Sequence, residues 1–309
     1  MKILLLGANG QLGRSFVEDG RLARFGELRT ASRDGRRFDG ASIDTADLAA
    51  PDSLQSLLDA RCPDLIVNAA AYTAVDRAEQ EEALATRVNG EAVGVIGRWS
   101  AARGALVVHY STDYVFDGGA RSPYRTDDPT GPLGAYGRSK LAGEQALAAS
   151  GAHHLIFRTA WVYAAHGQNF LRTMLRLGGE RDVLNVVADQ SGAPTSTEVI
   201  VEGTLAALAA WKTADAETRR TMQGIHHLVA SGTTTWHGFA EVIFAAAHRR
   251  GLLARVPEVR AISTAEFPTP ARRPAWSVLS NQDMLTHFGY AAPAWQAALD
   301  RVMDRLAGR

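Results

Sequence analysis

The sequence predicts an α/β fold built on a doubly wound parallel sheet. Short apolar segments alternate with amphipathic stretches through the first half of the chain, as in repeated strand and helix units. Apolar segments such as 65–67 are continuous, which is typical of strands buried on both faces. A glycine-rich turn at 7–13 follows the first of them. Strands are expected at 2–6, 28–31, 65–68, 106–110 and 155–158, with helices beginning near Gln11, Asp52, Val75 and Ala135.

The pattern is less regular after about residue 163. Helices are expected at 169–177, 197–211, 236–249 and 294–306, mixed with short strands and a proline-rich segment at 268–274. We predict a Rossmann-type domain over 1–162 and a smaller mixed α/β substrate-binding domain over 163–309, with later segments returning to the first domain. No low-complexity tract separates the two parts, so they are expected to pack closely.

Charge and cysteine content narrow the possible partners. The 309 residues include 33 Lys and Arg and 33 Asp and Glu, so no global field draws the chain to nucleic acid or to an anionic membrane. The single cysteine, Cys62, excludes an intramolecular disulfide and a cysteine zinc site, and is expected to be a small core residue. No apolar stretch approaches the ~18 residues of a membrane span, and we expect a cytoplasmic protein.

The glycine turn has the features of a dinucleotide site. Gly7, Gly10 and Gly13 follow a strand and begin a helix, with Gln11 and Leu12 between the last two. Glycine allows close backbone approach, and the amino terminus of the helix offers free N–H groups to a pyrophosphate. The spacing G-x-x-G-x-x-G alone is also compatible with an ordinary turn.

Residues at the ends of the other strands bear on the choice of cofactor. Ser32 and Arg33 end the second strand, where an acid grips the ribose 2′-hydroxyl of NAD and a basic residue tolerates a 2′-phosphate. This favours NADPH, with NADH possible, although Arg33 is also compatible with a solvated surface residue. Asp47, Leu48 and the segment 68–73 lie at strand ends on the side where ligands bind.

Tyr136 and Lys140 are the central chemical pair. They lie four residues apart on a predicted helix and share one face, so the ammonium can lie beside the phenol. Free tyrosine titrates near ~10, and a nearby positive charge lowers that pKa. The Thr112 hydroxyl, after the fourth strand, either aligns a carbonyl oxygen with Tyr136 or caps the backbone. Asn89 either bridges a water chain from Lys140 or interrupts a helix.

Further side chains fit a nucleotide-sugar ligand. Trp161 can stack on a base or a sugar, and Arg158 and the Arg272–Arg273 pair can clamp a diphosphate. The histidines, His109 among them, lack the spacing of a metal site and are expected to be structural. The sequence therefore predicts no metal ligands.

These motifs resemble those of the dTDP-4-dehydrorhamnose reductases, a family of extended short-chain dehydrogenases/reductases. The resemblance runs nearly end to end and rests on 7–13, 68–76, 110–117, 136–140, 157–163, 188–195 and 227–232. The glycine loop and the Tyr/Lys pair mark only the superfamily. The Ser-Thr-Asp-Tyr-Val-Phe and Asp-Gln-x-Gly-x-Pro-Thr runs are far narrower.

The resemblance implies roles for the matching positions. Tyr136 is the implied proton donor, Lys140 its electrostatic partner and ribose anchor, and Thr112 the group that orients a 4-keto oxygen. The implied substrate-binding residues are Thr112, Asp113, Trp161 and Arg272. The cofactor-binding residues are Gly7, Gly10, Gln11, Leu12, Gly13, Ser32, Arg33, Asp47, Leu48, Ala71, Tyr72, Thr73, Tyr110, Tyr136 and Lys140. The implied reaction is reduction of dTDP-4-dehydro-L-rhamnose at C4 by NADPH.

Two positions depart from the family pattern. Some members carry a glutamate just after the glycine loop and use it for magnesium at a dimer contact, and this chain has Ser15 there. The departure leaves magnesium open, and a monomer or a homodimer is expected. Ser32 stands where members often have an acid, which strengthens the expectation of NADPH.

Other classes of protein use the same loop and Tyr/Lys pair. A nucleotide-sugar 4,6-dehydratase needs an acid directly after Asp113, where this chain has Tyr114, and a 4-epimerase retains its cofactor through the cycle. A regulatory subunit that binds NADPH keeps the fold without the chemistry. Intact Thr112, Tyr136 and Lys140 favour an enzyme.

Overall fold

The computed structural model describes residues 1–308, over which a seven-stranded parallel sheet forms the centre of the molecule. The strands are β1 (Lys2–Leu6), β2 (Glu27–Ser32), β3 (Asp44–Thr45), β4 (Leu65–Asn68), β5 (Leu106–Thr112), β6 (His153–Thr159), β7 (Val162–Tyr163), β8 (Val183–Val187), β9 (Ser191–Gly192), β10 (Thr195–Ser196), β11 (Gly224–His227), β12 (Thr234–Thr235) and β13 (Glu258–Ile262). The helices are α1 (Gln11–Asp19), α2 (Pro51–Arg61), α3 (Val75–Ala78), α4 (Glu82–Thr86), α5 (Ala92–Ala101), α6 (Ala135–Ala148), α7 (Phe170–Glu180), α8 (Thr197–Thr213), α9 (Ala216–Met222), α10 (Trp236–Arg249), α11 (Gln282–Phe288) and α12 (Trp295–Leu306).

The order of the strands confirms the predicted doubly wound sheet. The sequence of neighbours is β11-β6-β5-β4-β1-β2-β3, and every pairing in it is parallel. The chain winds outward from β1 through β2 to β3, then crosses back to β4 and winds the other way. Ligands of such sheets bind beyond the carboxyl ends of the strands where the winding reverses, which here is between β1 and β4.

Alternate residues of each inner strand enter two apolar layers. Leu5 packs in one layer with Phe16 of α1 and Leu208 of α8. Leu4 packs in the opposite layer with Leu58 of α2. Because side chains alternate between the faces of a strand, helices on both sides are needed to cover these strands.

The predicted elements correspond closely to the observed ones. The five predicted strands and the four later helices all form, with ends shifted by three residues or fewer. The helical stretch that begins at Val75 is interrupted, because a π-helical segment, Arg87–Glu91, separates α4 from α5. The expectation for Cys62 is wrong, since it is exposed in the left-handed position that ends α2. None of the helices described in residues 1–308 combines the length and apolar character needed to cross a membrane.

The second half of the chain both forms its own core and returns to the sheet. β11 pairs in parallel with β6 and supplies an edge strand of the seven. A separate apolar cluster forms around Tyr163, Phe239, Phe244 and Trp295. β13 pairs with β8 beside this cluster. The division into 1–162 and 163–309 stays a prediction.

A buried ion pair holds α6 on the sheet. Arg158 of β6 donates through Nε to Glu144 Oε1 at 2.9 Å and through Nη2 to Oε2 at 2.7 Å. The two side chains are 3% and 2% exposed. The guanidinium also lies 5.0 Å from the centre of the Phe116 ring. Arg158 therefore stabilises the fold and is not accessible to a ligand, and the expectation that it clamps a diphosphate is wrong.

We expect Glu144→Gln to lower the free energy of unfolding by about 3 kcal/mol or more, because it leaves a buried guanidinium without its counter-charge. Urea denaturation of the variant and the parent measures this loss. Glu180→Gln, which removes an exposed partner of Arg176, is the matched control and is expected to change stability far less. Equal losses in the two variants would show that the buried ion pair contributes no more to stability than the exposed one.

Candidate active site

The glycine turn lies at the point where the sheet reverses its winding. Gly7 has a φ of +82°, and a Cβ there would lie 2.6 Å from the Ala70 nitrogen. A Cβ on Gly13 would lie 2.1 Å from the Gly7 carbonyl oxygen. Gly10 is the N-cap of α1 and has no side chain to accept from the first N–H groups of the helix. The backbone here fits the pyrophosphate of a dinucleotide.

The second half of the chain contacts the same turn. Asn169 Nδ2 donates to Gln11 Oε1 at 2.8 Å, and His166 Nε2 lies 3.0 Å from the Gln11 carbonyl oxygen. Leu12 packs against the apolar layer beneath. Gln11 is thus a contact between the two halves as well as a predicted cofactor residue.

The end of β2 carries a carboxylate that the sequence pattern did not single out. The buried Ser32 hydroxyl lies 2.7 Å from Asp34 Oδ1 and 2.8 Å from the Arg36 carbonyl oxygen. The hydrogen bond from Ser32 lowers the pKa of Asp34. Arg33 is exposed beside it. A basic and an acidic side chain therefore lie together at this strand end. The sequence feature that indicates Asp34 is an acid two positions beyond the end of the strand.

The other predicted cofactor residues divide between turns and core. Asp47 Oδ1 accepts from the Ala49 N–H at 2.9 Å and so caps its own turn. Leu48 is buried in the layer that covers the sheet. Ala71 is half-buried and Thr73 is exposed in the loop after β4. Of these residues Leu48 is buried, whereas Asp47, Ala71 and Thr73 keep part of their surface accessible to a ligand.

Two predicted tyrosines use their hydroxyl groups elsewhere. The Tyr110 hydroxyl lies 2.9 Å from Thr204 Oγ1 in the core, and the Tyr72 hydroxyl donates to Glu81 Oε2 at 2.6 Å. The backbone of Tyr110 does belong to the site, since its carbonyl oxygen accepts from Lys140 at 2.6 Å. For Tyr110, the main chain rather than the ring takes part.

Asn89 joins the loop after β4 to α6. Its Oδ1 accepts from the Tyr72 N–H at 2.9 Å, and its Nδ2 donates to the Tyr72 carbonyl oxygen and to Ser139 Oγ, both at 3.0 Å. It also lies in the π-helical segment Arg87–Glu91. Asn89 therefore interrupts a helix and bridges two parts of the site, while its link to a water chain stays a hypothesis.

Lys140 is buried beneath the site. Besides its bond to the Tyr110 carbonyl oxygen, its Nζ lies 3.3 Å from His109 Nε2. Burial lowers the pKa of Lys140 to about 8, and the charge of Glu144 opposes that shift. Within residues 1–308, Nζ makes no hydrogen bond to the Tyr136 phenol.

The Tyr136 phenol is held in its protonated form. Its ring meets the Tyr114 ring edge-on, with 5.9 Å between the centroids. Burial, and to a smaller degree the charge of Asp113, raise the pKa of Tyr136 to about 12, while the Thr112 hydroxyl opposes them. The expected lowering of this pKa by Lys140 is wrong, because burial dominates and the ammonium makes no hydrogen bond to the phenol.

Thr112 and Asp113 form a buried pair beside the phenol. Thr112 Oγ1 donates to Asp113 Oδ1 at 3.0 Å and accepts from the Tyr114 N–H at 3.2 Å, so it also caps the turn. Asp113 Oδ2 is buried and has no hydrogen-bond partner in residues 1–308. Burial raises the pKa of Asp113 to about 7, while the hydroxyls of Ser277 and Thr112 lower it. An unsatisfied buried carboxyl oxygen is an acceptor for a ligand hydroxyl.

Trp161 forms part of an aromatic wall. Its indole stacks on that of Trp236, with 3.6 Å between centroids and 5° between planes. Phe170 lies 4.7 Å from Trp236 on the same cluster. Trp161 has a φ of +48°, which is rare for a residue with a side chain and marks a backbone held by its surroundings. The sequence did not single out Trp236.

The proline-rich segment crosses the loop after β4. Arg273 Nη2 donates to Asp76 Oδ2 at 2.9 Å, and the Ala271 N–H donates to Asp76 Oδ1 at 3.2 Å. Arg272 is exposed, and its carbonyl oxygen lies near Gly134 at the start of α6. Of the predicted arginine pair, Arg273 is a structural tie and Arg272 is free to face a ligand.

Ser15 makes its side-chain contacts within the fold. Its hydroxyl lies 2.7 Å from Thr197 Oγ1 and 3.0 Å from the Gln11 carbonyl oxygen. In residues 1–308, no group of three or more His, Cys, Asp or Glu side chains is arranged to hold a metal ion.

Comparison with known proteins identifies the family. The family profile described as RmlD substrate binding domain matches residues 1–307. A dTDP-4-dehydrorhamnose reductase from Burkholderia thailandensis is 48% identical over 301 residues, which cover 97% of each chain. The chain belongs to the dTDP-4-dehydrorhamnose reductase family. Another reductase of that name, from Escherichia coli K12, is 42% identical and covers 99% of this chain and 98% of its own.

Solved structures of this family share the whole fold. A dTDP-4-dehydrorhamnose reductase from Clostridium acetobutylicum superposes with a TM-score of 0.85 at 34% identity, covering 99% of both chains. One from Bacillus anthracis, in complex with NADP, superposes with a TM-score of 0.84 at 31% identity, covering 99% of this chain and 100% of its own. A UDP-glucose 4-epimerase from Thermus thermophilus, at 20% identity and a TM-score of 0.77, shares the fold alone.

The narrow family motif at 188–195 builds the support for the aromatic wall. A Cβ on Gly192 would lie 2.5 Å from Trp161 Cε2, so only glycine leaves room for the indole. Gln190 Oε1 accepts from Trp236 Nε1 at 3.2 Å. Asp189 accepts from both the N–H and the hydroxyl of Thr264. The motif therefore positions Trp161 and Trp236 from behind.

The buried carboxyl of Asp113 predicts a dependence of stability on pH. The folded state holds a proton that the unfolded state releases between the ordinary pKa of 3.8 and about 7, so stability falls as pH rises through that window. Asp113→Asn removes this loss. Between about pH 5 and about pH 8, the free energy of unfolding of the variant is therefore expected to rise by about 2 kcal/mol relative to that of the parent.

Urea midpoints at both pH values test this expectation. Exposed Asp127→Asn is the control and should follow the parent. A parallel pH profile for Asp113→Asn and the parent would contradict a raised pKa.

Proposed function

We propose that this chain reduces the C4 keto group of dTDP-4-dehydro-L-rhamnose with NADPH, giving dTDP-L-rhamnose as the final step in making that sugar donor. One observation carries the proposal: Thr112, Tyr136 and Lys140 lie together at the carboxyl end of β5, at the same edge of the parallel sheet as the glycine turn that follows β1. Relatives with this activity in their names match over nearly the full length of the chain.

The protonation state of Tyr136 suits a reduction. When bound, NADPH supplies a hydride to the keto carbon. The oxygen then needs a proton, and a phenol whose pKa is raised by burial still carries one at neutral pH. Thr112 holds the keto oxygen toward the phenol, and the Lys140 ammonium stabilises the phenolate that remains.

The residues that hold the cofactor are proposed from their places at the strand ends. The glycine turn would hold the pyrophosphate, and the loop that contains Ala71 and Thr73 would line the rest of the cofactor. Lys140 anchors the nicotinamide ribose. A Cβ on Gly7 would collide with the backbone of Ala70, and one on Gly13 would collide with that of Gly7, so the turn keeps this shape only with glycine at both positions.

Substrate recognition is proposed to come from both halves of the chain. Asp113 Oδ2 accepts a sugar hydroxyl, which gives this buried oxygen the partner that it lacks. The Trp161 indole packs against the nucleotide sugar, with Trp236 fixing its plane. Arg272, exposed beside the start of α6, pairs with the diphosphate.

Turnover of the substrate tests the proposal directly. Purified protein mixed with NADPH and enzymatically made dTDP-4-dehydro-L-rhamnose should oxidise the cofactor and yield dTDP-L-rhamnose. Tyr136→Phe should lower kcat by about 10²–10⁴-fold and leave NADPH binding unchanged, because it removes one proton and little volume. NADPH binding without turnover in the parent would point instead to a binding subunit. Equal turnover in Tyr136→Phe would remove the phenol from the mechanism.

The preference for NADPH is proposed to depend on Arg33. Arg33→Ala should raise KM for NADPH about tenfold and leave KM for NADH nearly unchanged, since only NADPH has the 2′-phosphate. Arg37→Ala, in the same loop and paired with Asp39, is the matched control. If Arg33→Ala leaves the ratio of the two KM values unchanged, Arg33 is a solvated surface residue and does not determine the preference for NADPH.

A further inference from the structure

His109 is a fully buried histidine that the proposed reaction leaves without a role. It lies on β5 next to Tyr110, with an exposed fraction of 0%. Its Nδ1 lies 3.1 Å from Asn68 Nδ2, and its Nε2 lies 3.3 Å from Lys140 Nζ. Burial, and to a smaller degree the charge of Lys140, holds the pKa of His109 well below its usual value. The ring is therefore neutral and carries a single N–H.

Asn68 determines which nitrogen carries that proton. The Ala70 N–H donates to Asn68 Oδ1 at 3.2 Å, and this bond fixes which way the amide faces. The amide NH₂ then faces His109 Nδ1. Because NH₂ can only donate, Nδ1 must accept, and the proton of the neutral ring lies on Nε2.

The Nε2–H of His109 is directed at Lys140. An ammonium offers only donors, so it opposes an N–H that approaches it, whereas a neutral amine has a lone pair that accepts it. One amine hydrogen still donates to the Tyr110 carbonyl oxygen at 2.6 Å. The arrangement thus favours an amine of fixed direction over a freely rotating ammonium.

We propose that Asn68 and His109 are positioning residues for Lys140: the amide selects the tautomer of the imidazole, and the imidazole N–H selects the direction and the protonation state of the lysine. This inference rests on the proposed function of Lys140. Asn68 and His109 together make Lys140 a group that gains and loses its proton near neutral pH. The charge beside Tyr136 therefore depends on pH. The pair acts through Lys140 and has no contact with the keto group in the mechanism above.

Other charged groups near Lys140 do not account for the effect of His109 on its protonation state. Glu144 lies one helical turn away on α6, and its charge raises the pKa of Lys140. That carboxylate is neutralised by its two bonds to Arg158 of β6. From the turn after β5, Asp113 acts on the pKa of Tyr136. On the outer face of α6, Arg138 is paired with Glu82 at the surface.

The chain offers a direct readout, because Lys2, Lys140 and Lys212 are its only lysines. Protein labelled with ¹³C at lysine Cε gives one NMR signal for each, and Lys140→Met assigns the third. Lys2 and Lys212 are exposed and serve as internal controls in every titration. This measurement requires neither substrate nor turnover.

Asn68→Asp should raise the pKa of Lys140 by about one unit or more. A carboxylate accepts from Nδ1–H, which moves the ring proton off Nε2 and turns that nitrogen into an acceptor for the ammonium. His109→Phe keeps a buried ring, removes the opposing N–H, and should raise the same pKa by a smaller amount. An unchanged or lowered pKa in both variants would overturn the proposal.

A double variant separates the tautomer from the added charge. In the His109→Phe background, Asn68→Asp should shift the Lys140 pKa by less than half of its effect in the parent. Equal shifts would mean that the carboxylate acts through space, which would contradict the proposed route. His154→Asn is the matched control, because that buried histidine of β6 contacts the Ala152 carbonyl oxygen and should leave Lys140 unchanged.

The pH profile of kcat connects this control to the reaction. Because Lys140 must be charged to stabilise the Tyr136 phenolate, the alkaline limb should move up in pH with the Lys140 signal in Asn68→Asp. If the signal shifts as expected while the parent shows no turnover of dTDP-4-dehydro-L-rhamnose, the positioning role stands and the proposed function fails. Turnover in the parent without any shift of the signal would support the proposed function and overturn the positioning role.

Discussion

Helix α6 packs so closely against the turn after β5 and against the π-helical segment Arg87–Glu91 that two of its positions have room only for glycine. A Cβ on Gly137 would lie 2.2 Å from the Tyr114 carbonyl oxygen, and one on Gly143 would lie 2.0 Å from that of Asn89. Overlaps of this size with backbone atoms cannot be relieved by a rotamer change. The contact brings Lys140 within 2.6 Å of a carbonyl oxygen of β5. The close packing of α6 therefore determines where the side chains of Lys140 and Tyr136, one turn apart, lie in the site.

Burial at this contact shifts three neighbouring groups toward their neutral forms. It raises the pKa of Tyr136 to about 12 and that of Asp113 to about 7, and it lowers that of Lys140 to about 8. A charge in such a place is costly because few solvent dipoles can reach it. A site of this kind keeps a phenol ready to give a proton, and it strengthens each new charge interaction during the reaction.

The second half of the chain adds the aromatic side chains that are proposed to contact the nucleotide sugar. Trp161 and Trp236 are stacked at 3.6 Å, and the motif that contains Gly192 supports them from behind. Arg273 ties the proline-rich segment to Asp76, which belongs to the nucleotide-binding half. The chemistry and the recognition are therefore joined by short side-chain contacts between distant parts of the sequence.

The sequence by itself determined the strands, the glycine turn and the Tyr136–Lys140 pair, because each depends on residues a few positions apart. Only the tertiary structure decided what distant side chains do. Arg158, taken for a diphosphate clamp, is neutralised by a glutamate on another element. His109, taken for a structural residue, faces Lys140 on one side and Asn68 on the other. Burial and partner identity arise when separate elements pack together, and no local pattern encodes them.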